Sequence, residues 1–370
     1  MNSAEDKVVN LMPGKARALI SGKGTEVVRQ VGLDVIRDIV CDVLCGKNLR
    51  DSTEVITRKK LATINAATLV MFLRGESKSR GFAQRLPSIA SERLRLHPKV
   101  TGDERQVLQW FLGLTNKATQ NVLRDSTDSL SKYKEDYLRI CQDVISTCQS
   151  DYGKLGGKLQ LGSREKVNID WNFMIELLQT IGAQTLAIRG SEKSTYGKLF
   201  EHLILGSLLS IFGFKLVRRN QISTPEGVFW LSSIGEKRES DATLLYQAGK
   251  GIRFDIGFIG RGNPEISLDK VSRFEREIEL GSSKWYMGTI ILVDTIGKRS
   301  RIAQLAQAIH GTIIQMSMAY WPKQVAIELN RTIGFTHDLI HMPEDRIQQF
   351  LKDKMISVPL DTFITRVASP

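Results

Sequence analysis

Residues 240–260 read SDATLLYQAGKGIRFDIGFIG, and this stretch decides the fold class of the second half of the chain. It contains two short apolar runs, Asp241–Tyr246 and Ile252–Gly260, separated by the turn-like segment QAGKG. Short runs of this kind on both sides of a glycine-containing turn predict two sequential strands. The second run is largely apolar on both sides of its aspartate, which is typical of a buried strand.

The segments around this strand pair alternate between helix-like and strand-like patterns. An amphipathic helix is predicted over Tyr196–Phe212, with Gly213 as its stop, and a second helix over Pro264–Leu280. The run Thr289–Asp294, TIILVD, is typical of a buried strand. Further predictions are a strand over Val228–Ile234, a helix over Ile302–Met318 and a last strand over Gln324–Leu329. This order predicts an α/β (α+β) domain with a mixed sheet flanked by helices.

The first 150 residues are predicted to be mostly helical. Apolar side chains recur with helical spacing over Thr25–Cys45 and Ser129–Cys148, and shorter helix candidates lie at Leu61–Leu73 and Val107–Leu114. Several glycines and the lack of an apolar stripe make residues 151–166 a candidate linker. The sequence therefore predicts a helical N-terminal domain over 1–150, a linker over 151–166 and a second domain over 167–370.

The chain is basic: its 370 residues include 52 Lys and Arg against 40 Asp and Glu, a net charge of +12. Such a surplus favours a polyanionic partner, because a protein that neutralises phosphates releases their condensed counterions. Clusters at Arg74–Arg85, Arg93–Lys99 and Lys298–Arg301 are candidate phosphate contacts, and a solvated surface is the alternative. Four cysteines are too few for a disulfide framework. Without a membrane-length apolar run or a secretion signal, we expect a cytoplasmic protein.

Asp241 and Asp255 are candidate metal ligands because each lies in one of the two sequential strands. Neighbouring strands are about 4.8 Å apart, so two carboxylates on the same face can share one divalent cation. Mg²⁺ suits such a pair, since it combines a few carboxylates with waters and phosphate oxygens. Asp241 has an alternative as a solvated strand-edge residue. Asp255 has apolar neighbours, where an ionised group is costly unless it is paired or binds a metal.

The order of these features resembles the PD-(D/E)xK nuclease core of type II restriction endonucleases over about residues 195–330. In this resemblance Ser240 and Asp241 stand for the PD dipeptide and Asp255 for the following acidic residue. The run FDIGFIGRGNPEISLDKVSRFE, Phe254–Glu275, is most similar to the CfrBI-type enzymes, which recognise CCWWGG. The resemblance implies Mg²⁺-dependent hydrolysis of double-stranded DNA that leaves 5′-phosphate and 3′-hydroxyl ends.

The chain departs from this motif at two positions. Ser240 replaces the proline of the motif, and Gly257 lies where the motif has its lysine. Some members of the superfamily supply the lysine from another element, and a lysine ammonium can orient water or stabilise the charge of the phosphate. Lys270, in the predicted helix after the second strand, is the first candidate, with Lys250 and Lys237 as alternatives.

Other acidic residues complete the expected site. The resembled family often has an acidic residue on its first core helix that supports the metal, and Glu201 lies at this place; a surface ion pair is the alternative. Glu265 begins the next predicted helix, where the helix dipole explains a carboxylate equally well. A second placement would combine Asp255 with Glu277 and Glu279, but it requires a strand where the sequence predicts a helix.

The resemblance also implies partners. A palindromic target calls for a two-fold symmetric homodimer, and a DNA methyltransferase of the same specificity is the expected functional partner. The helical N-terminal domain would then add DNA contacts or a dimerisation surface. Two other functions stay open at this point. One is a non-catalytic nucleic-acid-binding protein with a degenerate core, which the glycine at 257 favours, and the other is a repair or recombination nuclease.

Overall fold

The computed structural model of the chain describes residues 4–21, 26, 28, 31–96, 100, 102–122, 129–163, 165–218, 226–232, 240–257, 288–294 and 311–368. The chain divides into two compact units. The first consists of residues 1–27 and 56–193, and the second of residues 28–55 and 194–370. This division differs from the sequence-based boundary at residues 151–166, and the roles expected of the two domains stay predictions.

Most described elements up to residue 211 are helices, those between residues 215 and 315 are strands, and those after residue 320 are helices. The helices are α1 (Gly14–Ser21), α2 (Leu33–Leu44), α3 (Leu49–Lys78), α4 (Phe82–Leu96), α5 (Gly102–Trp110), α6 (Asn116–Val122), α7 (Ser129–Tyr152), α8 (Trp171–Ile211), α9 (Trp321–Ile333), α10 (Glu344–Ile356) and α11 (Leu360–Ala368), with 3-10 helices at Ala4–Leu11 and Asp338–Ile340. The strands are β1 (Gly157–Leu161), β2 (Glu165–Ile169), β3 (Lys215–Leu216), β4 (Val228–Leu231), β5 (Ala242–Gln247), β6 (Lys250–Gly257), β7 (Gly288–Val293) and β8 (Gly311–Gln315). None of the helices in the described ranges combines the length and the apolar composition that a membrane span requires.

The first unit is mostly helical, and large aromatic side chains form part of its core. The ring of Phe72 meets those of Phe111 and Phe173 edge-on, with centroid distances of 6.3 and 5.9 Å, an arrangement that aromatic pairs favour. The helices predicted over Leu61–Leu73 and Ser129–Cys148 are confirmed within α3 and α7. Part of the predicted linker forms β1, which pairs antiparallel with β2.

The second unit contains a mixed sheet. Among the described residues its strand order is β3-β4-β5-β6-β7-β8. The pairs β4–β5 and β5–β6 are antiparallel, and the pairs β3–β4, β6–β7 and β7–β8 are parallel. The strand predicted over Thr289–Asp294 is confirmed as β7, which lies between two other strands as its apolar composition requires. The α/β fold class with a mixed sheet and flanking helices is therefore confirmed.

Two predictions near the C-terminal end of this sheet were wrong. The helix predicted over Ile302–Met318 falls partly outside the described residues, but Gly311–Gln315 form β8, where three β-branched side chains in a row favour a strand. The strand predicted over Gln324–Leu329 is part of α9. Pro322 in the first turn and Gly334 in the left-handed conformation bound this helix, positions at which these residues favour helix ends.

The sheet of the second unit has an apolar and a polar face. The strand alternation puts a buried apolar set on one face: Phe229, Ala242, Leu244, Ile252, Phe254, Ile256, Ile290 and Leu292. Helix α9 covers this face, since the Thr312 hydroxyl of β8 donates a hydrogen bond to Glu328 of α9 at 2.8 Å. The same alternation puts the polar residues of the central strands on the other face: Asp241, Thr243, Arg253, Asp255 and Thr289. We refer to this side as the polar face.

Candidate active site

Asp241 and Asp255 lie opposite each other on neighbouring antiparallel strands. Ala242, the first residue of β5, pairs with Phe254 of β6, so Asp241 lies across from Asp255. Both side chains belong to the polar face, and both are buried, with exposures of 6% and 9%. The structure therefore brings together the two carboxylates that the sequence proposed as metal ligands.

A backbone hydrogen bond shows how close this pair is. The N–H group of Ile256 points toward β5 and donates to Oδ2 of Asp241 at 3.0 Å. Backbone groups alternate in direction along a strand, so the neighbouring residue, Asp255, lies at a non-hydrogen-bonded position of the β5–β6 ladder. Opposite Cα atoms at such positions are only about 4.5 Å apart, with their side chains close together. The two carboxylates thus face the same volume, while the Ile256 amide holds the Asp241 carboxylate in one orientation.

Buried hydroxyl groups lie on both sides of Asp241. The Ser240 and Thr243 hydroxyl oxygens are 3.0 Å apart, and both residues are buried. On the β4 side, the Ser232 N–H donates to the Asp241 carbonyl at 3.1 Å, and the Ser232 hydroxyl lies 3.3 Å from Nε2 of buried His202 on α8. Sequence reasoning named Ser240 only as a departure from the motif and missed Ser232 and Thr243, because serine and threonine in a strand carry no spacing signal.

Glu201 lies on the turn of α8 that approaches this region. It is half-buried and directly precedes His202, whose ring contacts the Ser232 hydroxyl at the end of β4. This contact places the Glu201 turn beside the strand ends that carry the aspartates. The supporting role of Glu201 stays a prediction.

No lysine occupies the position at which the motif carries its positive charge. Gly257 is the last residue of β6, is buried and pairs with Val293. Lys250, one of the predicted substitutes, begins β6 about 17 Å along the strand from Asp255, and an odd separation directs it to the other face. The remaining candidates lie outside the described residues: Lys270, Lys237, Glu265, Glu277 and Glu279.

Asp294 is a further buried carboxylate near the end of the parallel strands. Its N–H donates to the Gly257 carbonyl at 3.3 Å, but the alternation of β7 directs its side chain away from the polar face. There the Asn48 side-chain amide donates to the carboxylate. Burial raises the pKa of Asp294. Asp294 therefore ties the turn before α3 to the sheet and is separate from the Asp241–Asp255 pair.

The donor set fits a hard divalent cation. Among the described residues, no three or more His, Cys, Asp and Glu side chains form a cluster that could hold a metal ion by themselves. Mg²⁺ does not need such a cage, because it commonly binds one or two carboxylates and completes its shell with waters and substrate phosphates. The two adjacent carboxylates of Asp241 and Asp255 provide oxygen donors of this kind.

Comparison with known proteins decides the family. The profile of the CfrBI restriction endonuclease family matches residues 33–301. A curated relative from Citrobacter freundii, described as type II restriction enzyme CfrBI, is 38% identical over 327 residues, which are 87% of this chain and 89% of the relative. The chain belongs to the CfrBI restriction endonuclease family. No solved structure shows a significant match to it.

Membership of the CfrBI family makes the chain a type II restriction endonuclease, a site-specific deoxyribonuclease that binds DNA. Enzymes of this class depend on a divalent metal, in agreement with the paired carboxylates. The matched range of the CfrBI family contains Glu201, Asp241, Asp255 and Lys270. It therefore includes each residue that the sequence proposed for catalysis.

Proposed function

We propose that this CfrBI-family enzyme hydrolyses DNA phosphodiesters in a Mg²⁺-dependent reaction at a centre built on Asp241 and Asp255. The observation that carries the proposal is the strand register, which places the two carboxylates opposite each other on the polar face. Like charges this close repel each other, and a cation between them removes the repulsion. The products carry 5′-phosphate and 3′-hydroxyl ends.

Each residue of the centre has a distinct task in this proposal. Asp241 and Asp255 would hold the ion, and the Ile256 amide fixes the orientation of the Asp241 carboxylate through its hydrogen bond. When bound between them, Mg²⁺ would polarise the phosphate and activate water for attack. Glu201 supports the centre from α8, and Lys270 supplies the positive charge that the glycine at 257 lacks, to orient water or stabilise charge on the phosphate.

We also propose a recognition sequence and partners for this enzyme, supported by its resemblance to the CfrBI-type enzymes. We propose CCWWGG, the sequence of the CfrBI-type enzymes, as the target. Because this sequence is palindromic, a two-fold symmetric homodimer would place one centre on each strand. A methyltransferase of the same specificity would protect the host DNA in the cytoplasm. Residues 1–150 would add DNA contacts or dimer surface, residues 151–166 would link them to the nuclease domain over 167–370, and the net charge of +12 supports the DNA contacts.

Incubation of the purified enzyme with plasmid and unmethylated phage DNA tests this function. With Mg²⁺ we expect discrete fragments whose ends map to CCWWGG, and with EDTA we expect none. Methylated DNA from a strain that carries the matching methyltransferase should stay intact. Cleavage without sequence preference would point to a repair or recombination nuclease. Binding without any cleavage would mean that the core is degenerate.

A further inference from the structure

We propose that Ser240 and Thr243 form a positioning pair that holds Asp241 in its catalytic orientation, in place of the proline that the resembled motif has at position 240. This inference rests on the proposed function, in which Asp241 holds the metal. In this proposal Ser240 and Thr243 act through Asp241 and do not themselves contact the ion or the DNA.

The first argument is the path of the chain before β5. Residues 240 and 243 are an odd number apart, so in a continuous strand their side chains would point to opposite faces. Their hydroxyl oxygens nevertheless lie 3.0 Å apart. Ser240 lies outside β5 and Asp241 lies in a bend directly before it. The hydroxyl contact therefore joins the two sides of this bend and can only form while the chain leaves the sheet at residue 240.

The second argument is what the bend does for the carboxylate. If the β5–β6 register continued by two residues beyond Ala242 and Phe254, residue 240 would pair with Ile256. The bend takes the backbone of Ser240 out of this position. The Ile256 N–H donates to Oδ2 of Asp241. The orientation of the carboxylate thus depends on a backbone that stays bent at Ser240.

The third argument is burial. Ser240 and Thr243 are 7% and 6% exposed, so water competes little for their hydroxyl groups and the contact can fix the bend. In the resembled motif a proline at position 240 restricts the backbone by another route, because its ring locks φ near −65°. Two buried hydroxyls that merely satisfy each other would contribute to stability alone. A positioning pair would also change how the enzyme uses its metal.

Four variants of the full-length enzyme test the pair: Ser240→Ala, Thr243→Val, Ser240→Thr and Ser240→Pro. Cleavage rates of a CCWWGG plasmid would be measured across a MgCl₂ titration, and DNA affinity would be measured in CaCl₂. Loss of either hydroxyl should lower the maximal rate about tenfold and raise the half-saturating Mg²⁺ concentration about threefold, since small misplacements of a catalytic group have such effects. DNA affinity should stay within about twofold, because the pair makes no DNA contact.

The substitutions Ser240→Thr and Ser240→Pro should keep the rate and the Mg²⁺ dependence close to those of the unmodified enzyme. The first keeps the hydroxyl, and the second restores the constraint without it. A matched control is Thr68→Val in the helical unit, which removes a buried hydroxyl that donates to the Gln184 side chain at 2.7 Å. It should lower the melting temperature and leave the Mg²⁺ titration unchanged.

The proposal would be overturned by a Ser240→Ala enzyme with unchanged rate and Mg²⁺ dependence, or by a Ser240→Pro enzyme no better than Ser240→Ala. The proline comparison also decides the matter if Thr243→Val does not fold. Asp241→Asn separates this inference from the proposed function. If Asp241→Asn cleaves normally, the proposed catalytic centre fails; if it is inactive while Ser240→Ala is normal, only the positioning pair fails.

Discussion

A single backbone amide illustrates how the residues of this enzyme acquire their chemistry. Asp241 could be a surface residue at the start of a strand, as the sequence allowed. Instead it is buried, and the Ile256 N–H donates a hydrogen bond to its carboxylate. Because Ile256 follows Asp255 in β6, the same strand supplies the second carboxylate and the group that orients the first. The site therefore depends on the register of two strands as much as on the identity of two aspartates.

The substitution Asp255→Asn should abolish cleavage, with a loss of about 10³-fold or more, because it removes one of two charges that hold the metal. The asparagine has nearly the same shape, so the fold and the DNA affinity should change little, the affinity by less than about tenfold. Mg²⁺ should raise the melting temperature of the unmodified enzyme, as any ligand of the native state does, but not that of the variant. Normal cleavage by Asp255→Asn would remove this residue from the mechanism.

Glu176 in the helical unit is a buried acid that the proposed chemistry does not use. Its side chain is 5% exposed and accepts a hydrogen bond from the Tyr137 hydroxyl at 3.3 Å. Burial raises the pKa of Glu176 to about 7, well above the ordinary value of a glutamate, while the Tyr137 hydrogen bond opposes the shift. The folded protein therefore holds a proton on Glu176 over a pH range in which the unfolded chain has released it.

The free energy of unfolding should consequently fall as the pH rises from about 4.5 to 7, and then level off with respect to this group. The difference between the pKa of about 7 in the folded protein and the ordinary pKa of 4.5 limits this loss of unfolding free energy to about 3 kcal/mol. Glu176→Gln has no proton to lose, so it should flatten this part of the profile and be more stable than the unmodified enzyme at pH 8. Urea unfolding at several pH values measures the difference; parallel pH profiles for the two proteins would contradict the prediction.

At the scale of whole elements, the sequence predicted the strands whose local apolar pattern agrees with their buried position in the sheet. β5, β6 and β7 are short apolar runs between turn residues, and they became strands of the sheet. β8 and α9 were misread because short apolar segments fit either period. The register of Asp241 against Asp255 could be expected only as a possibility, since pairing depends on contacts between strands. The contribution of His202 and the hydroxyl groups was not predictable, because it exists only after α8 packs beside the sheet.

The turn after α2 offers a test of packing between elements of the second unit. Gly46 has a φ of 90°, and a Cβ atom there would lie only 2.6 Å from the Met318 carbonyl carbon, at the turn before α9. Gly46→Ala must therefore shift the backbone as well as accept a strained conformation, and it should lower the free energy of unfolding by about 2–4 kcal/mol.

Gly334→Ala is the matched control. Its φ is 76°, but the described atoms leave open space around a Cβ, so only the strain of about 1 kcal/mol should appear. Chemical denaturation compares the two variants, and equal losses would contradict the packing argument.

At the scale of the whole molecule, the basic charge and the proposed symmetry act together. A net charge of +12 attracts DNA without regard to sequence, so cleavage at a defined site requires a second source of selectivity. Two subunits related by a two-fold axis would provide it, because both must engage their half of a palindrome before both strands are cut. The oligomeric state is thus part of the proposed mechanism, and one centre per subunit is its structural requirement.

Mixed dimers test this arrangement directly. An unmodified subunit and an Asp255→Asn subunit carrying different affinity tags would be co-expressed and purified through both tags. If each subunit cuts one strand, the mixed dimer should convert supercoiled CCWWGG plasmid to the nicked circle and accumulate little linear product, whereas the unmodified dimer should yield linear DNA. The Asp255→Asn homodimer, purified in the same way, should bind the plasmid without nicking it. Linear product from the mixed dimer at the rate of the unmodified enzyme would show that one centre cuts both strands, and failure to recover both tags together would show that the enzyme does not form stable dimers.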